Sequence, residues 1–142
     1  MKKAVSTKLS VVALAGSIAA GCASPLTSSQ SRQLAEYEAR GLVVQEKSTG
    51  GATAAGLLPG GGSWYTGHYG PAVANTLLWP ASILWDPVSG YNGARTANYF
   101  ATVAHVEDLR NEKLDELDEQ RMADEISEDE YMMKRRRIRE KY

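Results

Sequence analysis

The residue with the clearest chemistry is Cys22, the only cysteine in a chain of 142 residues. A single cysteine excludes an intramolecular disulfide, so another fate for the thiol is expected. Before it come three lysines and then a weakly apolar run, Leu9 to Ala20, that passes into small residues. This layout is typical of a secretory signal, since the apolar run is short for a bilayer of about 30 Å. The sequence therefore predicts an exported chain.

The segment Ile18 to Cys22 reads Ile-Ala-Ala-Gly-Cys and resembles the bacterial lipobox. Ala19, Ala20 and Gly21 match its small residues, although Ala19 stands where that family usually has leucine. The resemblance implies that the Cys22 thiol takes a diacylglyceryl group, that the chain is cut before it, and that the new amine is acylated. Such acyl chains anchor at about 0.8 kcal/mol per buried methylene, so membrane lipid is the expected partner. The alternative is an ordinary buried cysteine behind an uncleaved anchor.

The residues after the cysteine bear on which membrane holds the chain. Ala23 and Ser24 lack the aspartate that retains many enterobacterial lipoproteins at the inner membrane. The outer membrane is therefore favoured, whereas a truly spanning apolar segment would favour the inner one.

No other residue pattern indicates catalysis. His68 and His105 have no second ligand at a metal spacing, and Gly60–Gly62 lacks the Gly-Lys-Ser/Thr ending of a phosphate loop. The many tail carboxylates have the density of a solvated helix face. We expect a protein that is not an enzyme, with no cofactor, no metal and no small-molecule substrate.

Charge is distributed unevenly along the chain. The formal net charge is −1, so nothing overall indicates a nucleic-acid partner. Residues 50–105 are nearly uncharged, and residues 107–142 are dense in both signs, which favours separate modules over one mixed core. We expect four parts: a signal peptide over 1–21, a lipidated tether with a short element over 22–49, an apolar hairpin over 50–98 and a charged helical tail over 99–142.

The segment after the cysteine predicts a tether followed by one short element. Residues 23–30 are small and polar and predict a flexible tether. Ser31 to Val44 predicts a short helix with Leu34 and Tyr37 on one side, interrupted at Gly41. The residues from Leu42 onward fit a strand equally well.

The middle of the chain contains two apolar segments, Ala52 to Leu58 and Ala72 to Trp85, separated by a glycine-rich aromatic link. Pro80 predicts a kink or a new turn in the second segment. Aromatic residues bracket the segments, as they do at a membrane interface: Trp64, Tyr65, Trp79, Trp85 and Tyr91. A membrane-associated hairpin is one interpretation. A soluble helical hairpin whose aromatic side chains form the core is the other.

The stretch from Leu57 to Asp86 resembles the two-transmembrane-helix domain family. That family has an apolar helix, a glycine-rich turn with an aromatic-Tyr-x-Gly signature, and a second helix that ends near Trp and Asp. The matching positions are Gly61, Trp64, Tyr65, Gly67, Gly70, Trp85 and Asp86. The resemblance covers roughly forty residues and implies a paired-helix hairpin at a membrane.

The tail predicts two helices. Tyr99 to Ile126 contains neither proline nor glycine and has an imperfect apolar stripe, so it predicts one long helix. Ser127 and Glu130 form a Ser-x-x-Glu capping box, which predicts a second helix that runs to about Lys141. The first helix ends acidic and the second ends basic. Folded back or paired with another copy, the two runs would attract each other.

Part of this tail resembles SHOCT, a short carboxy-terminal helical domain associated with oligomerisation. The positions that carry the resemblance are Leu114, Leu117, Ile126, Ser127, Glu130, Tyr131 and Ile138. The resemblance implies self-association or contact with an envelope protein. A solvated two-helix tail, or contact of the basic run with anionic lipid, remains the alternative.

Together these patterns predict a mainly α chain: a tether, a glycine- and tryptophan-rich helical hairpin, and a charged helix-turn-helix tail. The favoured hypothesis is a cell-envelope lipoprotein that acts as a scaffold or assembly factor through its tail. The alternative hypothesis is a small lipoprotein that remodels or perforates membranes.

Overall fold

The structure is a computed structural model that describes residues 23–142. The signal segment and Cys22 lie outside the described residues. The prediction of a mainly helical chain is confirmed, since the described residues form helices and no strand. In chain order these are α1 (Ser28–Ala39), α2 (Thr49–Ala55), α3 (Gly61–Thr66), α4 (Tyr69–Leu77), a 3-10 turn (Ala81–Leu84), α5 (Asp86–Met122) and α6 (Glu128–Lys141).

Helix α1 corrects the prediction of a flexible tether over residues 23–30. The helix begins at Ser28 because Thr27 and Gln30 form a reciprocal capping box. Before it, Ala23 is buried, and its amide donates to Ser89 Oγ at 2.7 Å. The chain is therefore fixed against α5 from the first residue that the structure describes.

The predicted inward side of α1 is correct. Leu34 and Tyr37 are its two buried residues, and Gln33 Oε1 accepts a hydrogen bond of 2.7 Å from the Tyr99 hydroxyl on α5. After the helix, Gly41 has a φ of 69°, a conformation that glycine adopts without strain. The residues that follow, Leu42 to Val44, form no strand and run alongside α5, where the Val44 amide donates to Thr102 Oγ1 at 3.0 Å.

The apolar segments are more broken than their composition suggested. The first is helical only as far as Ala55, and the glycine-rich link contains a helix of its own, α3, between Gly60 and Gly67. The second is divided into α4 and the 3-10 turn by the cis Trp79–Pro80 bond, which agrees with the break expected at Pro80.

Glycines allow α2, α3 and α5 to cross with their backbones in contact. A Cβ on Gly62 would lie 2.6 Å from the Asp86 carbonyl oxygen, and a Cβ on Gly90 would collide with the backbone of Ala52. Only hydrogen fits at such positions, so these glycines determine how closely the helices approach. The glycine-rich region (residues 48–94) is thus assembled around α5.

The long helix starts thirteen residues earlier than the sequence indicated, at Asp86 rather than Tyr99, and it ends at Met122 rather than Ile126. Its 37 residues make it about 55 Å long. Helix α6 then folds back against it, as far as Arg40 at the end of α1, whose guanidinium donates to the Lys141 carbonyl at 3.3 Å. The long helix therefore belongs both to the glycine-rich region and to the tail, and the predicted boundary at residues 98/99 lies inside it.

Candidate functional site

A buried hydrogen-bond cluster joins α3, α4 and α5. Asp86, at the start of α5, is fully buried. Its Oδ2 accepts from the Gly62 amide at 3.0 Å, and its Oδ1 accepts from Ser63 Oγ and Asn75 Nδ2, both at 2.7 Å. Asn75 Oδ1 in turn accepts from Trp85 Nε1 at 2.9 Å. We call these five residues the Asp86 cluster.

The donors to the Asp86 carboxylate in this cluster are neutral. An unpaired buried carboxylate is costly, and several short hydrogen bonds to it offset that cost. Two of the donors, the Gly62 amide and the Ser63 hydroxyl, lie in the first turn of α3. The carboxylate therefore also satisfies an amide that the helix itself leaves unpaired. The consequence is mechanical, because one side chain holds three helices together.

The polarity of the glycine-rich region is inverted. The largest fully buried side chains of the described chain are polar: Asn75, Thr102, Asp86, Ser63, Ser82 and Ser89. By contrast, Trp64, Tyr65 and Trp79 are 46 %, 40 % and 51 % exposed. The interpretation in which aromatic side chains form the core of the hairpin is therefore wrong, because the crossing helices approach too closely to admit rings and only small side chains fit between them.

The predicted motif residues have different positions. Trp85 and Asp86 belong to the cluster, and Gly67 ends α3 with a φ of 80°. Trp64 Nε1 donates to Thr76 Oγ1 at 3.1 Å from the surface. Around Gly70 there is open space, so nothing in the structure explains a glycine there.

Tyr65 and Gly61 complete the motif. The Tyr65 hydroxyl accepts from the Ser48 amide at 3.3 Å, and Gly61 packs against the Ala55 carbonyl. The sequence patterns did not single out Ser63 or Asn75, although Asn75 lies within the apolar segment Ala72 to Trp85. A lone amide inside such a run was the available signal, because a buried amide needs a partner.

In the tail, most of the residues expected to associate are partly covered within the chain itself. Leu117 is buried, and Leu114, Ile126, Tyr131 and Ile138 are half-buried. Ser127 caps α6 as predicted, since its hydroxyl accepts from the Glu130 amide at 3.3 Å. The second half of the predicted capping box is not formed, because the Glu130 carboxylate turns away from the cap and lies 2.9 Å from Lys134 Nζ, one turn further along the helix.

The charges do not join the two tail helices in the expected way. Among residues 23–142 one ion pair connects α5 with α6, in which Arg121 Nε lies 2.9 Å from Glu128 Oε2. The expected pairing is reversed, because here α5 provides the basic residue and α6 the acidic one. Contact with Glu128 raises the pKa of Arg121. A second link is the hydrogen bond of 2.8 Å from the Tyr131 hydroxyl to Asp118, which raises the pKa of Tyr131.

The expected attraction between the acidic and basic runs is therefore not what closes the tail. The other ion pairs among these residues join neighbours within or just beyond one helix, such as Lys113 and Glu116 at 2.7 Å, a contact that raises the pKa of the lysine and lowers that of the glutamate. No described ion pair includes Arg136, Arg137 or Arg139. These side chains are exposed and left for solvent or for a partner.

Within residues 23–142 no group of three or more His, Cys, Asp or Glu could hold a metal ion. The ring of His68 contacts Thr66 Oγ1 through Nδ1 at 2.9 Å, and His105 is exposed on α5. Over the same residues, no helix combines the length and apolarity required to cross a membrane. The predicted lipidation site Cys22 and its lipobox residues Ala19, Ala20 and Gly21 lie outside the described residues.

Comparison of the chain with protein-family models, with curated proteins and with solved structures found no match in any of the three.

Proposed function

We propose that this chain is a lipid-anchored protein of the bacterial cell envelope that acts as a non-enzymatic scaffold or assembly factor. Its lipid is carried by Cys22, and the outer membrane is favoured because Ala23 and Ser24 lack a retention aspartate. The tail mediates contacts with other copies or with an envelope protein. The lipobox-like segment supports the anchor, and the surface of α6 supports the association.

The observation that carries the association is the outer face of α6, defined by Met132, Arg136 and Arg139. These residues are spaced by four and then three positions, so they lie on one side of the helix. All three are exposed, whereas Tyr131, Lys134 and Ile138, which are half-buried, face α5. Methionine and arginine are enriched at protein interfaces, unlike the lysine and glutamate of an ordinary solvated helix. The surface therefore has the composition of a contact site.

The test is to replace Met132, Arg136 and Arg139 by alanine in the full lipidated chain and to measure oligomer mass by crosslinking in detergent. Alanine preserves the helix, so the expected result is a shift from oligomer toward monomer with unchanged helix content by circular dichroism. The control is Arg32→Ala, which removes an exposed arginine from α1. Deletion of residues 112–142 should give the same shift. An unchanged mass in both variants contradicts self-association through the tail.

A membrane-remodelling function is the second candidate, and the exposed tryptophans of the glycine-rich region favour it. Under that alternative, the purified lipoprotein releases dye from liposomes in proportion to the protein-to-lipid ratio. A scaffold leaves the liposomes intact at every ratio.

A further inference from the structure

The surface of the glycine-rich region carries no charged side chain. From Ser48 to Ala94 the only Asp, Glu, Lys or Arg is Asp86, and it is fully buried. A solvated surface of this size normally contains interspersed charges of both signs, as the tail does. Charge is absent where a surface meets an apolar medium, because a charged group is costly to transfer out of water.

Exposed apolar side chains are concentrated where two connections meet the start of α5. The α2–α3 connection contributes Leu57 and Leu58, and the chain from the end of α4 into α5 contributes Leu77, Leu84 and Val88. All five are between 57 % and 81 % exposed. We call them the apolar tip.

The two connections are in direct contact. A Cβ on Gly56 would collide with the backbone of Pro87, so the turn that contains Leu57 and Leu58 lies against the start of α5. On the other side, Thr76 Oγ1 donates to the Pro59 carbonyl at 3.2 Å, which places the end of α4 beside the same turn. The hydrogen bonds from Asp86 to Gly62 and Asn75 join the same segments in the interior of the region.

Ala23, the first described residue, lies at the same end of the molecule as the apolar tip. The Ala23 amide, the group that joins this residue to Cys22, donates to Ser89 Oγ in the first turn of α5, one residue after Val88. Ser24 continues along α5, where its carbonyl accepts from Thr96 Oγ1 at 3.3 Å. A lipid on Cys22 is therefore attached next to the apolar tip and not at the end of a free tether.

We propose that the apolar tip inserts into the leaflet that holds the Cys22 lipid, so that the anchor and the tip form one two-point membrane contact. This inference rests on the proposed lipidation of Cys22 and adds a second, protein-borne contact to it. Insertion to a depth of about 5–10 Å suits leucines that lie on turns, with Trp79 at the level of the headgroups. The contact fixes an orientation in which α5 leads away from the bilayer, with Met122 about 55 Å from the tip.

The test uses the full lipidated chain, in which the acylated Cys22 has no free thiol. One cysteine is introduced at a time, as Leu84→Cys in the tip or as Met122→Cys at the far end of α5. The two residues are 81 % and 77 % exposed, so they are matched in accessibility. Each variant is labelled with an environment-sensitive dye and reconstituted in phosphatidylcholine vesicles with brominated acyl chains.

We expect the brominated chains to quench the dye at residue 84 and an aqueous quencher to leave it unaffected, with the reverse result at residue 122. If both dyes respond only to the aqueous quencher, the tip does not insert. A second outcome also contradicts the proposal. The dye at residue 84 could be as well protected from the aqueous quencher in concentrated protein without lipid as it is in vesicles, and become accessible on dilution. A second copy of the chain would then cover the tip. Circular dichroism confirms that both variants retain their helix content.

A separate experiment distinguishes a missing lipid on Cys22 from a tip that does not insert. The unmodified chain treated with the same thiol dye stays unlabelled if Cys22 is lipidated. Labelling of that chain contradicts the lipid itself, whatever the result at residue 84. An unlabelled chain with a water-exposed dye at residue 84 contradicts only the insertion.

Discussion

The glycine-rich region and the tail are both helical, but they are stabilised in opposite ways. In the glycine-rich region the helices cross at glycines, polar groups are buried and hydrogen-bonded, and leucines and tryptophans are exposed. In the tail Leu117 is the one residue buried beyond residue 106, and the ion pairs lie on the surface. Buried hydrogen bonds fix geometry, whereas exposed ion pairs contribute little. The first region is thus expected to be rigid and the second to open readily.

The sharpest test of this difference is Asp86→Ala, which we expect to have the largest effect. The substitution removes from a buried site the acceptor of the Gly62 amide and of the Ser63 hydroxyl, and one of the acceptors of the Asn75 side-chain amide. The expected loss is about 4 kcal/mol of unfolding free energy in chemical denaturation. Asp86→Asn should lower the unfolding free energy nearly as much, because its NH₂ group replaces one carboxylate oxygen and faces N–H and O–H groups that are themselves donors.

The control for Asp86→Ala is Asp108→Ala, which removes an exposed carboxylate from the same helix. It should change the unfolding free energy by less than about 0.5 kcal/mol. If the two alanine variants are equally stable, the cluster does not hold the region together.

A smaller and local effect is expected from Leu117→Ala. The side chain is 4 % exposed beneath α6, so its removal leaves a cavity that costs about 2 kcal/mol. Because few other contacts hold α6, amide hydrogen exchange should accelerate in the tail and stay unchanged from Ser48 to Ala94. Met122→Ala, at an exposed site, is the matched control. Equal acceleration in both regions would show that the chain unfolds as a single unit.

The smallest effect concerns pH and the Tyr131–Asp118 hydrogen bond. The hydrogen bond to Asp118 raises the pKa of Tyr131 above its ordinary value of 10.0. Because the pKa of Tyr131 is raised in the folded chain, the hydrogen bond stabilises the tail fully at a pH below the pKa of an ordinary tyrosine. This stabilisation is lost as the pH rises through the pKa of Tyr131 in the folded chain. Subtracting the tyrosinate absorbance titration of Tyr131→Phe from that of wild type isolates this phenol. Titration of this phenol at or below the ordinary pKa of tyrosine would contradict the prediction.

Short-range sequence patterns correctly predicted a helix cap and the inward side of a helix. The Ser127 cap of α6 and the inward Leu34 and Tyr37 of α1 were predicted from spacing alone. The start of α5 was missed because Gly90 and Gly93 disfavour a helix in isolation. Both glycines are buried in that helix, where their missing side chains allow α2 and α3 to approach. Tertiary packing overrode the local preference.

The sequence by itself determined the helical class and the separation of an uncharged region from a charged tail, and it predicts lipidation at Cys22. Each depends on composition or short-range spacing, which folding does not alter. Only the tertiary structure decided that Trp64, Tyr65 and Trp79 are exposed and that Asp86 joins three helices. It also decided that α6 covers Leu117 and contacts α5 through Arg121 and Tyr131 instead of through the charge runs. These facts depend on which distant segments meet, and here that depends on where glycine lets two backbones touch.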